Sequence, residues 1–206
     1  MAITEKKPST KLTVGAQFIC FNEPTFAAGS YEAEVVKLPT VTQITVTDNA
    51  DSYESYASGQ VYEDDTIVTY KNIAVTQLAF SEEVIAKMRG DTVDTGVIAS
   101  GGIKSRPYFA YGVPIIKKDG TKKLAWFPKC KLVENSDATA TSTATHSDQT
   151  DTMTIRAYGI DDDQNQDISV LTSVSANSGI TEEAFFAAPL LTIAAAKALR
   201  PSGGTG

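Results

Sequence analysis

Few side chains in this sequence are equipped for chemistry, and their surroundings do not prepare them for it. The single histidine, His146, sits in a Thr/Ser-rich stretch with no apolar or strand pattern to orient it. A histidine-activated nucleophile needs an ordered base, and a two-histidine metal site is excluded by count. Cys20 and Cys130 are the only cysteines and follow no C-x-x-C or zinc spacing, so they read as buried free thiols of a reducing compartment. Asp161-Asp162-Asp163 has the charge to attract calcium, but lacks the glycine and terminal glutamate of a calcium loop and reads as a solvated linker. Asp64-Asp65 lies in a hydrophilic segment without the apolar pocket that raises a carboxyl pKa for acid catalysis. Gly101-Gly102 is a turn, since no G-K-[S/T] follows and no helix begins there. The expectation is therefore no catalytic residue, no metal site, no cofactor and no enzyme.

The elements that could position a functional surface are mostly strands. Residues 1–12 are polar and read as a loose arm. Tyr31 to Leu38 and Val41 to Asp48 are rich in Val, Ile and Thr. In the second, Ile44 and Val46 share one face while Gln43, Thr45 and Thr47 share a wet one. Asp48 to Asp65 holds Tyr53, Tyr56, Tyr62 and six acids (Asp48, Asp51, Glu54, Glu63, Asp64, Asp65) without a Lys or Arg, and reads as a long loop. A loop of that length is either a partner contact or simply flexible. Thr66 to Phe80 reads as a long strand with both faces partly covered. Ser81, Glu82 and Glu83 then open a helix with an apolar stripe of Val84, Ile85 and Met88, and Gly90 ends it.

From Arg106 to Val133 two apolar, aromatic runs flank a Lys-Lys-Asp-Gly-Thr-Lys-Lys turn, and Asp119-Gly120 is a strong hairpin signal. On the second arm Leu124, Trp126, Cys130 and Leu132 are expected on one face, Lys129 and Lys131 on the other. Glu134 to Asp151 lacks aromatics and large apolar residues and reads as exposed. Thr152 to Tyr158 is expected to be the last strand. Thr181-Glu-Glu caps a helix from Ala184 onward with a bend at Pro189, and a Gly-rich tail follows. The domain reading is an arm and first strand region over 1–30, a β domain over 31–160, and a C-terminal extension over 161–206.

The chain has 206 residues, enough for one real core, and a net charge of −7, which argues against a dedicated nucleic-acid binder. The charge is unevenly placed: eight of 18 basic residues lie between Lys104 and Lys131, against the single acid Asp119. Opposite patches suit head-to-tail self-association, or are two separately solvated surfaces. The longest apolar stretch, near Ala184 to Ala196, is too short to span a bilayer, and the N-terminal residues lack the apolar core of a signal peptide. The sequence reads as neither secreted nor membrane-spanning.

The order of long strand, capped helix ending at Gly90, Asp94-Thr-Gly-Val97, Arg106-Pro107-Tyr108-Phe109-Ala110-Tyr-Gly112, hairpin, Thr-rich loop and strand resembles the major tail (tail-tube) proteins of long, non-contractile-tailed bacteriophages. Tyr53-x-x-Tyr56, Gln60-Val-Tyr62-Glu63 and Gly179-Ile-Thr-Glu-Glu-Ala-Phe-Phe186 are similar to that family as well, so the likeness covers roughly residues 30–190. The stretch from Asp167 to Gly179 and the end after Pro189 depart from it. The resemblance implies a mainly β fold (α+β): a β-sandwich or partial barrel with one flanking α-helix and a C-terminal helix, as in tail tubes and type VI secretion tubes. It implies homo-hexameric rings that join strands into an inner barrel and stack into a tube. It also implies partners among other tail proteins (tape measure, terminator, distal tail), genomic DNA passing through without specific binding, assembly in the host bacterial cytoplasm and residence in the virion tail.

Within that frame Asp48 to Asp65 is expected to be the assembly segment anchored by Tyr53, Tyr56 and Tyr62, and Gln43, Thr45 and Thr47 to face the lumen. Glu134 to Asp151 is expected to order on stacking. Pro107, Tyr108, Phe109, Ala110, Gly112, Asp119, Gly120 and Trp126 form the family hairpin. Another virion β-protein, such as a head decoration or tail-terminator subunit, would form rings or trimers that never polymerise. A carbohydrate-binding or adhesin sandwich would carry a secretion signal and an exposed aromatic platform, whereas Trp126, the one tryptophan, lies on the expected core face.

Overall fold

The middle of the molecule is a sheet that is apolar on both faces, and this follows from strands that are apolar without alternation. The computed structural model describes residues 7–22, 30–101, 105–141, 148–160 and 164–201. Its strands are β1 (Lys11–Val14), β2 (Gln17–Phe21), β3 (Val36–Leu38), β4 (Val41–Ala57), β5 (Gln60–Gln77), β6 (Thr92–Asp94), β7 (Val97–Ala99), β8 (Phe109–Lys117), β9 (Lys122–Ser136), β10 (Asp151–Ala157) and β11 (Ile168–Leu171). The helices are α1 (Glu82–Arg89), α2 (Glu182–Phe186) and α3 (Ile193–Ala198). Among the described residues nine strands form one antiparallel sheet in the order β3-β2-β8-β9-β10-β5-β4, with β1 on β8 and β11 on β9; β6 and β7 form a separate hairpin. The chain is mainly β with few helices.

The sheet curls until distant strands meet. β1 approaches β4, and the buried Gln17 Nε2 of β2 donates to Gln77 Oε1 of β5 at 2.6 Å, although β2 and β5 are not neighbours in the sheet. This partial barrel encloses a first core of Ile19, Phe21, Ile73, Val75, Phe109, Tyr111, Leu132 and Ile155, on which α1 lays Val84, Ile85 and Met88. The outer faces of β2, β8 and β9 carry a second core, in which Phe18, Ala110, Leu124 and Trp126 meet Ile168, Val170, Phe185, Phe186 and Leu190. Trp126 Nε1–H donates to the Phe185 carbonyl at 3.0 Å, and Phe18 stacks on Phe186 with centroids 4.1 Å apart.

Several expectations change. Leu124 and Trp126 do not share a face with Cys130 and Leu132: the first two enter the second core and the others the first. The pairing of Phe109 with Cys130 and Tyr111 with Phe127 puts three steps of β9 opposite two of β8, a bulge that flips the later side chains. Strand over Tyr31 to Leu38 reduces to Val36–Leu38 plus an isolated bridge from Tyr31 to Asn22. β10 is not the last strand, because β11 pairs with β9 from Ile168↔Trp126 to Leu171↔Lys123. The helix from Ala184 is two short helices on either side of Pro189, with Thr181 and Thr192 each accepting a capping bond. Residues from Ile168 to Ala196, grouped at the sequence level with an extension, supply more than half of the second core among the described residues.

Candidate functional site

Asp48 to Asp65, expected as a loop, is instead the distal part of the β4–β5 hairpin. β4 and β5 pair from Val41↔Gln77 to Ala57↔Gln60 and turn on Ser58 (φ 53) and Gly59 (φ 77), the two positive angles that a two-residue turn matched to strand twist requires. Only the base of this hairpin belongs to the barrel. There Ile73 and Val75 are buried and Ile44 packs on the first core. Beyond Asn49 and Thr69, whose side chains hydrogen-bond each other at 3.0 Å, β4 and β5 continue with almost every residue exposed. From Asp48 to Ala57 the ribbon extends roughly 30 Å at about 3.3 Å per residue.

This arm has two properties that an isolated ribbon does not want. It is apolar where nothing covers it: Tyr53, Tyr56, Val61, Tyr62 and Ile67 are all more than half exposed, with Tyr62 at 78%. A two-stranded ribbon with no layer against it is marginal in water. It is also self-repelling, because Glu54 stands directly opposite Asp64, while Asp65 and Glu63 face Tyr53 and Ser55. Tyr56 donates its hydroxyl to Glu54 Oε2 at 2.5 Å, and this bond to a carboxylate raises the phenol pKa. Asp48, at the root, lies 3.8 Å from Lys71, which also pairs with Asp167.

The same two strands carry the second feature. Gln43, Thr45 and Thr47 are exposed, as expected, and register extends their face across the sheet in rows: Gln43–Thr76–Thr152, Thr45–Ala74–Thr154 and Thr47–Asn72–Arg156. Within these rows the only charged side chain is Arg156, whose neighbour on β9 is Lys131. Both cations lie over tyrosine rings, Arg156 on Tyr70 (4.6 Å) and Lys131 on Tyr108 (4.2 Å), with Tyr158 between the two rings. The second core does not extend over this half of the sheet, so the face is wet, and charge enters it only towards β9, with Arg156, Lys131 and Glu134 beside Thr154.

The hairpin singled out by resemblance is structural throughout. Pro107 packs against the helix end at Gly90, and the Tyr108 carbonyl accepts from Asn22 N–H. Phe109 enters the first core, Ala110 and Trp126 the second, and Gly112 lies beneath the Phe186 ring. Asp119 Oδ1 accepts from Thr121 N and Oγ1, which lowers its pKa and closes the turn at Gly120. Burial pushes the Cys130 thiol up, and the Cys20 thiol up to about 11, which makes both poor nucleophiles. His146 and Asp161-Asp162-Asp163 lie outside the described residues, as do residues 142–147 of the Thr/Ser-rich stretch, whose flanks at 137–141 and 148–150 are exposed.

The arm's length and the exposed Ile67 and Val68 escaped the sequence reading. Their signal was Thr66 to Tyr70, where β propensity persists without alternation because neither face is covered. The tyrosine–cation ladder was missed too, since its members come from three strands and from the residues flanking β8 and β10.

No protein-family model matches the chain, and no curated protein matches it in sequence. Among solved structures it is similar to a chain of the PVC extracellular contractile injection system sheath–tube complex, at 7% identity over 75% of this chain and 88% of that one, with a TM-score of 0.41. It is similar to the anti-feeding prophage tube-terminating cap at 8% identity over 83% and 95%, with a TM-score of 0.43. It is similar to the PVC sheath/tube terminator at 10% identity over 82% and 99%, also at 0.43. With TM-scores below 0.5, none of these likenesses assigns a family or a function.

Proposed function

We propose that this chain is a structural subunit of a phage-type tail: copies close into hexameric rings, and the rings stack into a tube through which genomic DNA leaves the virion. The observation that carries the reading is the uncovered arm. A ribbon whose tyrosine, valine and isoleucine side chains find no cover in their own chain gains its stability when another copy covers it, and buried tyrosine anchors are each worth about 2 kcal/mol or more at interfaces. Ring closure would also satisfy the open edges of β3 and β4, which otherwise invite uncontrolled pairing.

The neutral face of Gln43, Thr45, Thr47, Thr76, Thr152 and Thr154 is the candidate lumen wall. A Thr/Gln surface offers phosphates no cation on which to displace counterions, so a duplex slides past it rather than binding. Arg156 and Lys131, already engaged with tyrosine rings, stand at the margin of that face. In this reading the protein performs no catalysis, takes no cofactor, and meets the tape-measure, terminator and distal-tail proteins of the same particle.

Negative-stain microscopy and sedimentation velocity of the purified chain test the proposal. Rings with a central channel that stack end to end are expected. Rings that never stack would make it a terminator-like subunit. A strictly monomeric chain at high concentration, with its counterpart in particles lying outside the shaft, would overturn the reading.

A further inference from the structure

The arm's charge has a counterpart elsewhere on the molecule. At the β8–β9 turn the chain gathers Lys117, Lys118 and Lys123 with Lys11 of β1, and Lys11 pairs directly opposite Lys117. Among the described residues none of these four forms an ion pair, whereas the adjacent Lys122 is neutralised by Glu182 at 2.7 Å. The platform is held by backbone bonds: Lys118 N–H donates to the Thr10 carbonyl at 3.0 Å and Asp119 N–H to Ser9 Oγ at 3.3 Å. Leu12, 61% exposed, adds an apolar spot beside Lys11. Like charges placed directly across a strand pair destabilise a subunit on its own, and the platform and the arm each hold such a pair, of opposite sign, at Lys11↔Lys117 and at Glu54↔Asp64.

One chain cannot bring these two surfaces together. Lys11 and Lys123 line the same cavity as Asp48, at the arm's root, and the ribbon then carries Glu54, Asp64 and Asp65 about 20 Å further out. At that distance, more than two Debye lengths in physiological salt, these carboxylates are largely screened from their own platform. We propose that the acidic arm of one copy docks on the lysine platform of an adjoining copy, with Asp64, Asp65 and Glu54 against Lys117, Lys118 and Lys11, and the arm's tyrosines over Leu12. The inference rests on the self-assembly reading above and supplies the receiving surface that the reading leaves open.

Charge reversal in the full-length chain tests it. Lys117→Glu with Lys118→Glu reverses the platform, Asp64→Lys with Asp65→Lys reverses the arm, and a four-substitution variant reverses both. Since these positions lie at the surface, the melting temperatures of all three should stay near wild type, which separates docking from folding. Each single-sided reversal should lower the assembled fraction by about tenfold or more, as like charges then face each other, and the combined variant should recover assembly to within about threefold of wild type. Wild-type assembly should also weaken steadily as salt rises from about 0.05 to 0.5 M. Single-sided variants that assemble normally, or a combined variant no better than either, would overturn the docking while leaving self-assembly intact. A wild-type chain that never assembles would overturn the self-assembly reading, and this inference with it.

Discussion

Gly112→Ala is the smallest change that tests how the second core is built. A Cβ at this position would lie 2.8 and 2.9 Å from Phe186 Cε1 and Cδ1, and 2.9 Å from Trp126 Cε3. Ordinary carbon contacts begin near 3.5 Å, so the rings must retreat by about 0.7 Å. They have little room to do so. Phe186 is stacked on Phe18 at 4.1 Å and lies edge-on to Phe185 at 5.0 Å, while Trp126 is tied to the Phe185 carbonyl. Overpacking of this kind costs about 1–3 kcal/mol, offset by about 0.5 kcal/mol from the reduced freedom of the unfolded chain. The net loss is about 0.5–2.5 kcal/mol, which for a chain of this size lowers Tm by about 1–10 °C. Thermal unfolding followed by tryptophan fluorescence reads both the stability and the Trp126 environment. Adding Phe186→Leu should make the pair less destabilised than the sum of the two singles, because the smaller side chain clears the added methyl. A Gly112→Ala protein as stable as wild type, or strictly additive with Phe186→Leu, would refute the close approach of α2 to β8.

Three further outcomes follow from the same geometry. Trp126→Phe leaves the buried Phe185 carbonyl without its indole donor and should cost about 1–3 kcal/mol in urea unfolding. Cys20, pushed from an ordinary 9.0 to about 11 by burial, has roughly a hundredfold less thiolate near pH 8, so alkylation of the native protein should be slow and accelerate sharply in denaturant. Asp119 has its pKa lowered by the bonds from Thr121, so its contribution is present above the unfolded carboxylate pKa and is lost as pH falls through the folded one. Asp119→Ala should therefore destabilise near pH 7 and have little effect near pH 3, measured as Tm against pH.

The strands were legible where burial imposes a pattern. β8 and β9 announced themselves through apolar runs around Asp119-Gly120, and α1 through Glu82, Glu83 and Gly90, although Ser81 makes no side-chain capping bond. The sides of β9 were not legible. A strand buried on both faces has no alternation to read, and the bulge after Phe127 reverses whatever parity is assumed. β11 is four residues long, and its alternation of buried Ile168 and Val170 with exposed neighbours is too short to stand out from a loop.

The arm was misread for a reason that bears on its role. Sequence patterns record what a chain buries within itself, and β4 and β5 beyond Asn49 bury almost nothing, so their only internal marks are the Ser58-Gly59 turn and persistent β-branched residues. Exposed apolar positions mixed with unbalanced acids look like a loop to any argument based on one copy. The same composition is consistent once a second surface is supplied, because tyrosine, valine and isoleucine then have something to cover and the carboxylates have something to neutralise. The residues that fit the isolated subunit worst are therefore those most informative about what it joins. On that basis Tyr53→Ala combined with Tyr62→Ala should leave Tm within about 1 °C of wild type while lowering the assembled fraction about tenfold or more. If instead the double substitution lowers Tm and leaves assembly unchanged, those rings support the subunit's own fold and the arm has no docking role.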